Sequence, residues 1–207
     1  MPTSAASADA GVLWLAALQR ALGRAAHDVK DALNGVSVNL EVVRSRASRA
    51  DAPASAVAPF ADAAAQQLER LTTLLDAVLA LSRSERAPAD VGITLRRVAA
   101  VCSASNASAD ARVTVRDGRI DDARTKVPGD AVRLALAMPL LDAVVGRKGE
   151  TREAVVCELE GDDEAVVVRL LADRPIAMPA DAADVLRAAG VRWTESANDL
   201  SLIFPRA

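Results

Sequence analysis

Apolar side chains recur at Leu15, Leu18, Leu22, Ala26, Val29, Leu33, Val36, Leu40 and Val43, in steps of three and four residues. That spacing is one face of an α-helix. From Gly11 to Arg49 there is no proline, and Gly23 and Gly35 are the only helix-weakening residues. Thirty-odd helical residues make a rod roughly 50 Å long. Residues 49–59 carry Ser, Asp51, Pro53, Ser55 and Pro59 and read as a loop. A second seam follows at Ala64, Leu68, Leu71, Leu75 and Val78, flanked by Leu74, Leu79 and Leu81, and ends near Ser84, before Pro88. Two long helices with a short connection predict an antiparallel hairpin. A lone hairpin leaves part of each seam wet, at about 1.5–3 kcal/mol for each exposed Leu. Pairing two hairpins removes that cost, so the pattern predicts a homodimeric four-helix bundle.

The period changes after the 88–92 linker. Leu95, Val98, Ala99 and Cys102 suggest a helix, and residues 112–116 alternate as a half-buried strand before the Asp117-Gly118 turn signal. Asp130 is placed to cap a helix running to Val145, with Pro139 expected to kink or interrupt it. Residues 153–160 and 164–171 read as strands joined by Gly161-Asp162-Asp163. Residues 181–189 read as a short helix ended by Gly190, and 191–193 and 200–204 as the last strands. The organisation predicted is a helical hairpin over 10–86 and an α+β layer with mostly antiparallel strands over 92–207.

Composition narrows the classes. The 207 residues are 51% hydrophobic and 26% charged, as in a globular chain, but only 2% aromatic with no tyrosine. Cores must therefore be built from Ala, Leu and Val. A net charge of −3 leaves no basic footprint for nucleic acid. Cys102 and Cys157 have no metal-ligand spacing and no histidine near them, so no metal site is expected, and two lone thiols fit a reducing compartment. The apolar run 11–18 is too short for a membrane span and lacks the flanks of a secretory signal. A cytoplasmic protein is expected.

The one histidine, His27, falls on the first helix with Arg20, Arg24, Lys30, Asp31 and Asn34 three or four residues apart. They share a face beside the seam, so His27 is expected on the exposed wall. A neutral imidazole, with a reference pKa of about 6.5, is a nucleophile suited to accepting a phosphoryl group. Asp28 is placed to take the proton from the second ring nitrogen, and Lys30 and Arg24 to neutralise phosphoryl oxygens. The alternative is an ordinary solvated helix face that includes one histidine.

His27-Asp28-Val29-Lys30-Asp31-Ala32-Leu33-Asn34, followed by Val36, Asn39 and Leu40, resembles the H-box of bacterial sensor histidine kinases: His, an acid, any residue, a base, Thr or Asn, Pro, Leu. Residues 74–83, Leu-Leu-Asp-Ala-Val-Leu-Ala-Leu-Ser-Arg, are similar to the run that ends the family's second stem helix. The resemblance covers about residues 10–86 and implies a dimeric stem whose histidine carries phosphate. Two positions depart from it. Ala32 replaces the usual proline, and Asp31 replaces the Thr or Asn that in the family helps position water for dephosphorylation.

The same family implies an ATP-binding domain in the second half. Gly129-Asp130-Ala131-Val132-Arg133-Leu134 resembles the introduction to its asparagine-bearing helix, but Met138 or Pro139 and Asp142 stand where the asparagines would be. After residues 166–172 the family's Asp-x-Gly-x-Gly is replaced by Asp173-Arg174-Pro175-Ile176-Ala177. Beyond Asp173, Gly190 is the sole glycine before the last strand, too few for a phosphate cradle. The resemblance therefore implies a reduced ATPase-like α/β sandwich that keeps only Asp142 and Asp173 as relic positions. The expected function is a histidine phosphotransferase exchanging phosphate with response-regulator receiver domains. No cofactor of its own is expected, Mg²⁺ coming with the receiver. The alternatives are a divergent ATP-using histidine kinase acting through Asp142 and Asp173, or a non-catalytic dimeric adaptor.

Overall fold

A computed structural model describes residues 4–49, 53–83, 88–104, 113–118, 120, 122–145 and 154–207; within these spans the side chains of 4–8, 24, 27, 28, 104, 117 and 145 are not described. The first helix, α1, runs Ser4–Ala47 without a break, about 65 Å at 1.5 Å per residue. It starts earlier than the periodicity predicts. A short 3₁₀ turn (Ala54–Ala56) leads into α2 (Ala58–Ser82), with Pro59 in its first turn, where a missing N–H costs nothing.

Three contacts give the direction of α2. Near the turn, the Arg46 guanidinium stacks 4.5 Å from the Phe60 ring centroid and donates to the Ala56 carbonyl at 2.7 Å. Midway, the Gln67 amide lies so close to Gly35 that a Cβ there would stand 2.6 Å from Nε2. At the far end, Leu81 shares a small cavity with Trp14, Leu18 and Ala21. Numbers rising on one helix meet numbers falling on the other, so the pair is antiparallel.

The rest of the chain forms an α+β layer. A two-residue strand β1 (Ala89–Asp90) opens it, followed by α3 (Val91–Ala104), β2 (Val113–Asp117), β3 (Arg124–Thr125) and α4 (Gly129–Val145). Then come β4 (Val155–Gly161), β5 (Ala165–Leu171), α5 (Ala180–Ala188), β6 (Arg192–Glu195) and β7 (Asp199–Pro205). Five strands make a mixed sheet in the order β2-β4-β5-β7-β6, with only the β2–β4 pair parallel. One face is dry: Val155, Cys157 and Leu159, Val166, Val168 and Leu170, and Leu200, Leu202 and Phe204 are all buried. The two short strands β1 and β3 pair with each other, and the Thr125 hydroxyl ties them to the sheet by donating to the Pro205 carbonyl at 2.6 Å. Gly190, at φ 91°, ends α5 in the left-handed region.

α4 is unlike the other helices. Every residue from Ala131 to Leu141 is buried, so it has no solvent face over that stretch. It contacts α3 and β4 on the sheet side, and α1 and α5 on the other. Pro139 does not interrupt it, so of the two outcomes expected from the sequence, a kink or a break, the break does not occur. Packing against Leu136, Leu140 and their neighbours holds the turn that loses a hydrogen bond. Asp130 lies in the first turn, its carboxylate accepting from Arg133 Nη1 at 3.0 Å.

The covering side of α1 also differs from the seam read in the sequence. Ala10, Trp14, Ala17, Leu18, Ala21 and Ala25 are buried and belong to the same cluster as the sheet's dry face. Of the seam positions, Leu15, Ala26, Leu33 and Leu40 are exposed. On α2, Ala64, Leu71, Leu74, Ala77 and Leu81 are buried, whereas Leu68, Leu75 and Leu79 are exposed. An alanine-rich helix carrying Trp14 beside Leu15 has two apolar faces, and the chain buries only one of them within itself.

Trp14→Ala should destabilise the whole α+β layer by about 3–5 kcal/mol, the usual cost of emptying a buried aromatic site. The check is urea unfolding followed by far-UV circular dichroism. A loss confined to the helical hairpin, with the sheet unaffected, would contradict the shared core.

Candidate functional site

The site is built on the side of α1 that faces neither α2 nor the exposed leucines. Counting at about 100° per residue, positions 13, 16, 20, 23, 24, 27, 31 and 34 fall on one strip along the helix. Lys30, Asp31 and Asn34 are exposed there or at its edge. His27, Asp28 and Arg24 lie within α1, but their side chains fall outside the described residues. Nothing blocks the strip at Gly23, where an added Cβ would meet no atom within 4 Å.

Towards the N-terminus the strip runs into a cleft between α1, α4 and α5, of about 480 Å³, lined by Leu13, Ala16, Gln19, Arg20, Met138 and Asp181. Its floor is apolar, and Gln19, Arg20 and Asp181 supply polar groups. Arg20 Nη2 donates to the Met138 thioether sulfur at 3.1 Å, a weak acceptor for a strong cation. No sequence signal pairs residue 20 with residue 138; the contact exists because α1 lies along α4.

The positions where the resemblance would put nucleotide contacts lie on α4 and after β5. Met138 and Pro139 are buried in α4, Met138 under Arg20, and Asp142 is exposed one turn later. Asp173 is exposed in the loop after β5, whose continuation is pinned where the Met178 N–H donates to Glu195 Oε1 at 3.0 Å. No group of three His, Cys, Asp or Glu side chains able to hold a metal ion occurs among the described residues. Nor is any described helix long and apolar enough to cross a membrane.

The two cysteines, remote in sequence, come together in the core, Cys102 from α3 and Cys157 from β4. Burial pushes both thiols up to about 12, and the nearby Cys157 adds to the rise at Cys102. Neither is positioned to act as a thiolate at neutral pH.

No family model matches the chain, and no curated protein does. Solved structures similar to it include the histidine kinase AdeS of Acinetobacter baumannii, at 10% identity over 86% of this chain and 97% of that one, with a TM-score of 0.39. A bacterial phosphotransferase is similar at 16% identity over 98% of each chain, with a TM-score of 0.37. The histidine kinase ThkA, in complex with response regulator protein TrrA, is similar at 13% identity over 93% of this chain and 63% of that one, with a TM-score of 0.46.

The thiols set a pH prediction. Their folded values lie above the unfolded value of 9.0, so the folded state keeps protons that the unfolded chain releases. Stability is thus whole below pH 9 and falls as pH rises from 9 towards 12. Urea midpoints measured across that range should decline, and Cys102→Ala with Cys157→Ala should flatten the decline.

Proposed function

We propose that the chain is a histidine phosphotransferase of a two-component phosphorelay, in which His27 takes a phosphoryl group from the phospho-aspartate of one receiver domain and passes it to another without ATP. The observation that carries the reading is where the sole histidine falls. Position 27 is on the open strip of α1, in a His-Asp-x-Lys pattern, with Lys30 and Asp31 exposed beside it. The reading that phosphate comes from a protein and not from a nucleotide is supported by α4. Met138, at a relic asparagine position, is buried beneath α1 and contacts Arg20.

In this scheme a neutral imidazole nitrogen attacks the phosphorus of the acyl phosphate. The new P–N bond forms as the P–O bond to the aspartate breaks, and the carboxylate leaves with the bonding pair. The imidazole loses its other ring proton to Asp28, and the reverse step restores it. Lys30 and Arg24 offset the charge on the phosphoryl oxygens in transit. Mg²⁺ belongs to the receiver.

A homodimer belongs to the same proposal. Leu33 and Leu40 on α1, and Leu68 and Leu75 on α2, are exposed at seven-residue intervals, the repeat of a helix-packing seam. A second hairpin would cover them, leaving the strip of position 27 on the outer wall.

Incubation with labelled ATP alone, then with a labelled phospho-receiver, tests the scheme. Label should enter only from the receiver and should vanish with His27→Ala. Labelling from ATP alone would identify a kinase, and no labelling from any phospho-receiver an adaptor. Light scattering should return twice the mass of the 21.5 kDa chain; a monomer would remove the bundle.

A further inference from the structure

We propose that the cleft between α1, α4 and α5 binds a small free zwitterion with apolar side chains, of the dipeptide class. Its carboxylate sits on Arg20 and its ammonium on Asp181. The site goes beyond phosphotransfer at His27 and stands whether or not that reaction occurs.

Size sets the first limit on the occupant. The cleft measures about 480 Å³, inside the roughly 300–1,000 Å³ range of small-molecule sites. At about 30 Å³ per water that is room for about sixteen waters, enough for a molecule of two amino acids.

The lining sets the chemistry. Leu13, Ala16 and Met138 offer an apolar floor for aliphatic side chains. Arg20 is exposed, has the Met138 thioether as its acceptor at 3.1 Å, and makes no ion pair among the described residues. Sulfur is a weak acceptor, so exchanging it for a carboxylate gains a charge-assisted hydrogen bond. Asp181 brings the opposite charge from the first turn of α5, exposed and likewise without an ion pair among the described residues. The Gln19 amide, able to donate and accept, suits a peptide group between the two charges.

One helix therefore presents a cation and another an anion across a shared apolar floor. Charges on two helices ask for a ligand whose own charges are apart. In a dipeptide they are separated by a peptide unit and a Cα–Cα step of about 3.8 Å, whereas in a single amino acid they share one Cα. A fatty acid would leave Asp181 unanswered, and a polyphosphate would be repelled by it. A second copy of the chain would not fill the cleft, because the exposed Leu33 and Leu40 lie on another side of α1. A bridging ligand ties α1 to α5, so it stabilises the folded chain by mass action.

The test uses the full chain with carbon-13 in its methionine methyl groups, titrated with Leu-Leu. The Met138 signal, identified by its loss in Met138→Leu, should shift and saturate by millimolar dipeptide, and the thermal midpoint should rise. Met178, buried and outside the cleft lining, should not shift. N-acetyl-Leu-Leu, which lacks the ammonium, and Leu-Leu amide, which lacks the carboxylate, should each bind about tenfold more weakly, as should leucine. Arg20→Gln should lower Leu-Leu affinity to that of the amide and leave the amide unaffected. Asp181→Asn should do the same with the acetylated dipeptide. Both side chains are exposed, so urea midpoints of the unliganded variants should match the parent and separate binding from folding. No shift of Met138 at millimolar Leu-Leu, or a shift of Met178 alone, would overturn the site. Equal binding of the blocked dipeptides or of leucine, or unchanged affinity in both variants, would overturn the bridging by two charges and the proposal with it.

Discussion

An indole set among alanines lets α1 lie close along α4, and the placement of the candidate site depends on that contact. Trp14 fills the space between the helices, while Ala10, Ala17 and Ala21 bring the backbones together. The opposite side of α4 rests on α3 and the sheet. The stem and the α+β layer therefore share one core, continuous from Ala10 to Phe204. A hinge between them would expose a helix that is buried on all sides from Ala131 to Leu141, a cost far above the few kcal/mol by which proteins of this size are stable.

This arrangement links the two halves chemically. Residues 135–141 of α4 are alanine, leucine, methionine and proline, all buried, and α4 packs against α1. The same packing makes a cleft, where Leu13, Ala16, Gln19 and Arg20 of α1 meet Met138 and Asp181.

Much of the element order was legible because periodicity is local. Steps of three and four residues mark α1 and α2, and alternation marks β4, β5 and β7. The two-residue strands β1 and β3 were not, since they exist through a pairing some 35 residues apart and a threonine bond to Pro205. The second buried face of α1 was not legible for a different reason. Leu15, Leu33 and Leu40 outweigh alanines on any hydropathy pattern, yet the alanines permit the closest approach and so line the internal contact. Pro139 shows the same limit, a local rule overridden by burial on all sides. The histidine face was legible from residue type and spacing alone, whereas the cleft beside it was not, because Met138 and Asp181 reach it from distant parts of the chain.

The Gly35–Gln67 contact divides α1 mechanically. Gln67 Oε1 is buried there and finds no donor among the described residues, so the hairpin carries an unpaired acceptor at this rung. The contacts that tie α1 to α4 at Gly11, beside Asp130, and at Arg20, on Met138, lie before it. Position 27 lies on the gripped side, a little over two turns from that rung. The backbone at position 27 thus lies between the grip of the α+β layer at Arg20 and the hairpin contact at Gly35, held from both directions.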